Sequence, residues 1–164
     1  MRLIHLQGYL IWLAARSSDQ NDAKYNIGTA LDATRVYRSY LARLTSDEKA
    51  YRYSQYQEWN EGAAAYFEYR LAEKAAADTY RPTHGYSSLP GAQRYADLWR
   101  EAYESRPFLT KHAGRAAKNR NAFYHLGAGK ALALDQVDAG WKKRYFGTGV
   151  WLDDLLAETV AGAR

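Results

Sequence analysis

The feature that most constrains the fold is a run in which acidic side chains share a helix face with glycine and alanine. Residues 59–69 read WNEGAAAYFEY. Steps of three and four residues return to the same side of an α-helix, so Glu58, Glu61, Ala65 and Glu68 lie on one predicted stripe. Like charges at this spacing repel. The fold must therefore bring arginines, a metal ion or water to this face.

The small residues from Gly62 to Ala65 let another helix or a ligand approach the backbone closely. The neighbouring carboxylates then have two predicted partners: Arg35 or Arg38 of the preceding helix, or a metal ion held by His and Glu side chains. The four histidines share no zinc-binding spacing, and no H-E-x-x-H sequence occurs. The residue types alone therefore favour ion pairs or solvation over a metal.

Helical periodicity dominates the chain, and no segment alternates like a strand for more than a few residues. With 164 residues, the chain is long enough for one domain with a substantial core. We predict an all-α fold, a single irregular bundle of about five to six helices over 1–164. The predicted helices are 2–15, 20–44, 47–79 with a bend at Gly62, 92–104, 121–137 and 150–160, with a loop at 81–91 and a short turn at 141–146. Thr45 and Glu48 predict a capping box before the third helix.

The first fifteen residues loosely resemble a signal peptide, since Arg2 precedes an apolar run that ends in alanines. His5 and Gln7 interrupt that run, and leucines recur at helical spacing at 3, 6, 10 and 13. A core helix is therefore predicted, and this interpretation favours a cytoplasmic location. An extracytoplasmic location would follow if 1–15 act as a signal or if the full-length protein is secreted. No apolar stretch reaches the roughly 18 residues of a membrane span, so no membrane partner is expected.

The formal charge of +5 arises from residues 81–164, with basic clusters at 111–120 and 142–144. Such clusters attract anions, but a solvated basic face is their commoner cause, so a nucleic-acid partner is not expected. The segment 127–130 reads GAGK, which lacks the glycine spacing and the Ser/Thr of a phosphate loop. We interpret it as small residues that pack one helix against another.

Four segments, taken in order, resemble the C-terminal helical half of bacterial proteins of unknown function related to gluzincin (thermolysin-like) zinc metallopeptidases. They are ALDATRVYR at 30–38, EWNEGAAAY at 58–66, YHLGAGKALALD at 124–135 and GWK at 140–142. In gluzincins an H-E-x-x-H helix supplies two zinc ligands and the general base, and a later Asn-Glu pair supplies the third ligand. The resemblance implies that Asn60-Glu61 is this pair, with Glu61 as the ligand. It also implies that His125 or Tyr124 stabilises an oxyanion.

The H-E-x-x-H helix is absent from this sequence. The resemblance therefore implies a metallopeptidase-like domain that is not catalytic as an isolated chain, either a piece of a longer protein or a remnant. No cofactor is expected for the chain alone; zinc and hydrolase activity are expected only with an H-E-x-x-H segment from outside. The supporting positions of the candidate site around Glu61 are Asn60, Glu58, Glu68, Arg35 and Arg38. The alternative is a helical module that binds a peptide or protein partner without enzymatic activity; a basic anion-binding or nucleic-acid-binding domain ranks third.

Overall fold

The computed structural model describes residues 2–77, 81–94, 97 and 121–161, and in this part of the chain the predicted all-α fold is confirmed. The elements in order are α1 (Arg2–Arg16), α2 (Gln20–Thr45), α3 (Lys49–Gln57), a π-helical turn (Glu58–Gly62), α4 (Ala63–Ala76), α5 (His84–Ser87), α6 (Asn121–Val137), α7 (Trp141–Thr148) and α8 (Leu152–Ala161). Most of the predicted helix at 92–104 lies outside the described residues.

The helix α6 lies at the centre of the bundle. It packs against α1, α2, α3, the π-helical turn, α4 and α8. Its sequence is apolar around most of its circumference, which is typical of a helix surrounded by others. The core that encloses it includes the fully buried Trp141, Leu155 and Leu156.

The helix α1 is part of this core, as predicted, but its buried face differs from the leucine stripe. Leu6 is 46% exposed, whereas Leu10, Ile11 and Ala14 are buried. The buried Gln7 accounts for the rotation, because its amide donates a hydrogen bond of 2.5 Å to Thr34 Oγ1 on α2. None of the described helices is both long enough and apolar enough to cross a membrane.

The predicted capping box is wrong. Thr45 ends α2, and its hydroxyl donates to the carbonyl oxygens of Leu41 and Asp47. The chain turns at Ser46, which has a left-handed φ of 51°, and the Asp47 carboxylate then accepts a 2.9 Å hydrogen bond from the backbone N–H of Lys49. Local side-chain hydrogen bonds of this kind compete with the reciprocal cap.

The predicted bend at Gly62 is a single π-helical turn. The buried positions Ser54, Glu58, Gly62 and Tyr66 follow one another at intervals of four residues. In an α-helix each interval would rotate the contact face by about 40°. The wider π turn offsets part of this drift and keeps both Glu58 and Gly62 against α6.

At the π turn the two backbones touch. A Cβ on Gly62 would lie 2.5 Å from Gly127 Cα, and one on Gly127 would overlap the carbonyl oxygen of Glu58. The small residues at 127–130 therefore pack helix against helix, as the sequence predicts. Because only glycine leaves room for this approach, this pair sets how deeply the neighbouring side chains are buried.

Candidate functional site

Beside the glycine contact lies a buried ionic triad, which we define as Glu58, Lys130 and Asp153. Lys130 projects from α6 and its ammonium forms an ion pair with Glu58 Oε2 of the π turn. The same Nζ lies 2.6 Å from Asp153 Oδ1 on α8. Tyr51 of α3 donates a 2.9 Å hydrogen bond to Asp153 Oδ2. Side chains from α3, the π turn, α6 and α8 thus meet at this triad. The Lys130 side chain at its centre is only 1% exposed.

The triad holds two carboxylates and one ammonium, which leaves a surplus negative charge in the core. Burial and the neighbouring Asp153 carboxylate raise the pKa of Glu58 to about 7, although Lys130 lowers it. Burial lowers the pKa of Lys130, but the charges of Asp153 and Glu58 outweigh it and raise that pKa to about 12. Lys130 is therefore a permanent cation near neutral pH, and Glu58 is the group that can take up a proton.

Tyr51 and Tyr37 border the triad from α3 and α2. Burial, and then the negative charge of Asp153, raise the pKa of Tyr51 well above its usual range. Burial and the charge of Glu58 raise the pKa of Tyr37. Both phenols therefore stay protonated near neutral pH. Tyr51 acts as a hydrogen-bond donor and not as a base.

The predicted carboxylate stripe is divided by the π turn. Glu58 is buried, Glu61 is half-buried and Glu68 is exposed. The compensating cation for Glu58 is Lys130 of α6. The predicted ion pairs of these carboxylates with Arg35 or Arg38 are not found for Glu58. Arg35 pairs with Asp32 instead, and Arg38 pairs with Glu48.

The residues that the gluzincin resemblance implies lie on two elements in contact. Asn60 is exposed and Glu61 half-buried on the π turn, whereas Tyr124 and His125 are half-buried on α6. The π turn packs against α6. The fold thus brings together the elements that carry Glu61 and the candidate oxyanion-stabilising residues.

These residues do not complete a zinc site by themselves. Over the described ranges, no group of three or more His, Cys, Asp or Glu side chains is arranged to hold a metal ion. A structural zinc site needs four such donors and a catalytic one needs three. Within the described residues, Glu61 is therefore not part of a complete set of metal ligands.

A second ionic group surrounds Asp135, five residues after Lys130 on α6; we call it the Asp135 cluster. Asp135 Oδ1 accepts hydrogen bonds from Trp141 Nε1 at 2.9 Å and Lys142 Nζ at 2.6 Å. Asp135 Oδ2 accepts from the Tyr66 hydroxyl at 2.7 Å and from Arg70. Burial raises the pKa of Asp135, but these hydrogen bonds outweigh it and lower that pKa below its usual value.

The Asp135 cluster also bears on the basic segment 142–144. Lys142 pairs with Asp135, and Arg144 pairs with Asp138 and Glu158. Carboxylates therefore offset two of the three cations in that segment. The other predicted basic cluster, at 111–120, lies outside the described residues.

Lys130, Asp153 and Tyr51 were missed as site residues. One signal was present, since Lys130 stands in the otherwise apolar run GAGKALAL. A charged residue in such a run is rarely buried unless it is paired. The sequence did not indicate its partners, because they lie 72 residues before it and 23 residues after it along the chain.

The fold and the site together define an all-α domain organised around a buried Glu–Lys–Asp triad and a π-helical turn. Comparisons with protein-family models, with curated proteins and with solved structures each find no match for this chain.

Proposed function

We propose that this chain is a metallopeptidase-like helical domain, not catalytic on its own, in which Glu61 occupies the position of a third zinc ligand. The π-helical turn is the observation that carries the proposal, because it contains Asn60-Glu61 and packs against α6. The helix α6 carries Tyr124 and His125. These are the residues to which the gluzincin resemblance gives a role.

A π-helical turn is rare and frequently accompanies a functional site. Here it interrupts an otherwise α-helical run from Lys49 to Ala76. It places Glu58 in the core, where Lys130 compensates it, and leaves Glu61 half-buried. Glu58 is therefore committed to the buried triad, and the metal position that the gluzincin resemblance implies is Glu61. Peptide hydrolysis would still require an H-E-x-x-H helix from outside the chain.

The test uses cobalt(II) in place of zinc, with imidazole in place of the missing histidine pair. We expect visible absorption typical of tetrahedral cobalt only when imidazole is present, and we expect its loss in Glu61→Gln. Glu68→Gln is the matched control, because Glu68 is an exposed carboxylate on α4. Absorption that survives Glu61→Gln, or that never forms, would contradict the proposal. Tight zinc binding by the chain alone in calorimetry would contradict the expectation that this chain has no tight zinc site of its own.

A protein-interaction module without enzymatic activity is the second candidate, favoured by an exposed aromatic surface. We define this aromatic patch as the exposed Tyr56, Phe67 and Phe146 together with the half-buried Trp59; the buried Tyr145 links the rings of Trp59 and Phe146. The rings of Phe67 and Phe146 lie 5.6 Å apart, and those of Tyr145 and Phe146 lie 5.0 Å apart. Phe146 is 65% exposed. A continuous exposed apolar surface is characteristic of a protein-binding site.

Selection from a library of displayed helical peptides tests this second candidate. We expect enriched peptides with apolar residues at helical spacing, whose binding is lost in Phe67→Ser and Phe146→Ser. Exposed positions such as these should tolerate serine without unfolding, which circular dichroism would verify. Enriched peptides that bind both variants as well as the parent chain would argue against the patch as the binding surface.

A further inference from the structure

A cleft of about 480 Å³ lies between α2 and α8 and reaches Tyr51 of α3. This volume falls within the range of small-molecule sites. The buried triad borders the cleft, because Tyr51 and Asp153 contribute to its wall. A ligand in the cleft would therefore meet groups that the core already holds in place.

Opposite charges line the two sides of this cleft. Arg35 and Arg38 lie on α2, three residues apart and hence on one helix face. Asp153 and Asp154 lie on α8. The Arg38 guanidinium stacks over the Tyr51 ring, 5.3 Å from its centre, which holds one cation at the charged end of the cleft.

These charges are available to a ligand because their present partners are at the surface. Arg35 pairs with Asp32 and Arg38 with Glu48, and in both pairs the side chains are exposed to solvent. Exposed pairs of this kind contribute little to stability, so a ligand carboxylate can replace them. Arginine is well suited to this exchange because its planar fork matches a carboxylate.

The acidic side of the cleft has an excess of negative charge. Partial burial and then the carboxylates of Asp153 and Glu158 raise the pKa of Asp154, and Arg38 lowers it. Asp153 already has Lys130 and Tyr51 as partners, whereas Asp154 is exposed. A ligand cation next to Asp154 would reduce the repulsion between these carboxylates.

Apart from Thr34, the rest of the cleft wall is apolar, with Leu31 on α2 and Ala157 and Val160 on α8. We infer that the cleft binds a small zwitterion with an apolar body, such as a short apolar peptide with free termini. Its carboxylate would contact Arg35 and Arg38, and its ammonium would contact Asp154. Its apolar side chains would lie against Leu31 and Val160. This inference uses neither Glu61 nor zinc, so it can fail or succeed independently of the proposed function.

Calorimetry with the full chain and the dipeptide L-leucyl-L-leucine tests the inference. We expect saturable binding of one dipeptide per chain. Charge-assisted hydrogen bonds are strong enough that N-acetylation or C-terminal amidation of the dipeptide should each weaken binding about tenfold. No saturable binding, or equal binding of the free and blocked dipeptides, would overturn it.

Two variants test which side chain contacts the ammonium and which contacts the carboxylate of the dipeptide. Asp154→Asn should weaken the free dipeptide about tenfold yet leave the N-acetylated form unchanged, because that form lacks the ammonium. Arg35→Gln should weaken the free dipeptide and leave the amidated form unchanged. Both positions are exposed, so the variants should fold, and Glu68→Gln on α4 serves as the matched control. Equal losses for every ligand form would show that the two side chains do not contact the termini and would overturn the assignment.

Discussion

The helix α6 carries two ionic groups with opposite charge balance and different exposure. In the buried triad one cation, Lys130, serves two carboxylates. In the Asp135 cluster one carboxylate receives two cations, Arg70 and Lys142, whose side chains are 32% and 42% exposed. The pKa of Glu58 is raised in the first group, whereas the pKa of Asp135 is lowered in the second.

The balance between burial and the surrounding charges and hydrogen-bond donors decides the direction of each pKa shift. Burial raises the pKa of a carboxyl in both groups. In the Asp135 cluster four donor side chains outweigh burial. In the triad a single ammonium is shared, and the second carboxylate adds repulsion, so burial prevails. Four predictions follow from this difference, beginning with the largest effect.

Removal of the shared cation should distinguish the two groups most clearly. Lys130→Met leaves two buried carboxylates uncompensated, so we expect the free energy of unfolding to fall by about 3–5 kcal/mol. Lys142→Met is the matched control; Arg70 still pairs with Asp135, and the expected loss is about 1 kcal/mol or less. Urea denaturation followed by circular dichroism measures both, and equal losses would contradict the comparison.

The pH dependence of stability should have opposite signs in the two groups. The pKa of Glu58 rises from 4.5 to about 7 on folding, so the native state binds more protons than the unfolded state between these values. The stability from protonated Glu58 is fully present below about pH 4.5 and is lost as pH rises through about 7. At about 1.4 kcal/mol per pKa unit, the rise from 4.5 to about 7 corresponds to a loss of at most about 3.5 kcal/mol. Glu58→Gln should abolish this slope.

Asp135 should act in the other direction. Its pKa is lowered on folding from 3.8, so its contribution is present above that pH and is lost as pH falls through the folded pKa. Asp135→Asn should therefore flatten the acid limb of the stability profile and leave the slope between about pH 5 and 7 intact. Chemical denaturation across this pH range gives both slopes, and a Glu58→Gln profile that matches the parent chain would refute the assignment.

The burial of the triad from solvent should depend on the close contact between Gly62 and Gly127. Gly127→Ala forces a methyl group into the carbonyl oxygen of Glu58, and separation of the helices should cost about 1–3 kcal/mol. Gly28→Ala is the control, since nothing lies within 4 Å of a Cβ there, and it should be neutral or stabilising by up to about 1 kcal/mol. Solvent admitted by Gly127→Ala should also move the pKa of Glu58 towards its ordinary value. An unchanged pH slope in a destabilised variant would contradict that link.

Loss of a single hydroxyl should again affect the buried triad more than the Asp135 cluster. Tyr51→Phe removes a donor from the buried Asp153, with an expected loss of about 1.5–3 kcal/mol, the range for a hydrogen bond to a charged group. Tyr66→Phe removes one of four donors to Asp135, and because three donors remain we expect about 1 kcal/mol or less. Thermal unfolding ranks the pair, and a larger effect of Tyr66→Phe would reverse the expected order.

Much of the fold could be predicted because helix signals are local. The predicted end of the helix 121–137 matches the end of α6 at Val137. In the predicted gap between residues 15 and 20, the Asp19 carboxylate accepts a hydrogen bond from the Asn21 N–H at the start of α2. Predictions that required a partner were less accurate. The buried face of α1 is rotated by the contact of Gln7 with Thr34, and Glu48 pairs with Arg38 on α2 rather than completing a cap.

By itself the sequence determined that the chain forms an all-α domain, that small residues allow close helix packing, and that the carboxylates from Glu58 onward need compensation. Periodicity and steric size are local properties, so they can be derived from neighbouring residues. Only the tertiary structure decided that Lys130 compensates Glu58, that Asp153 shares this cation and that a π turn divides the stripe. Charge compensation in a core depends on which helices meet, and contacts across 72 residues arise only when the bundle packs.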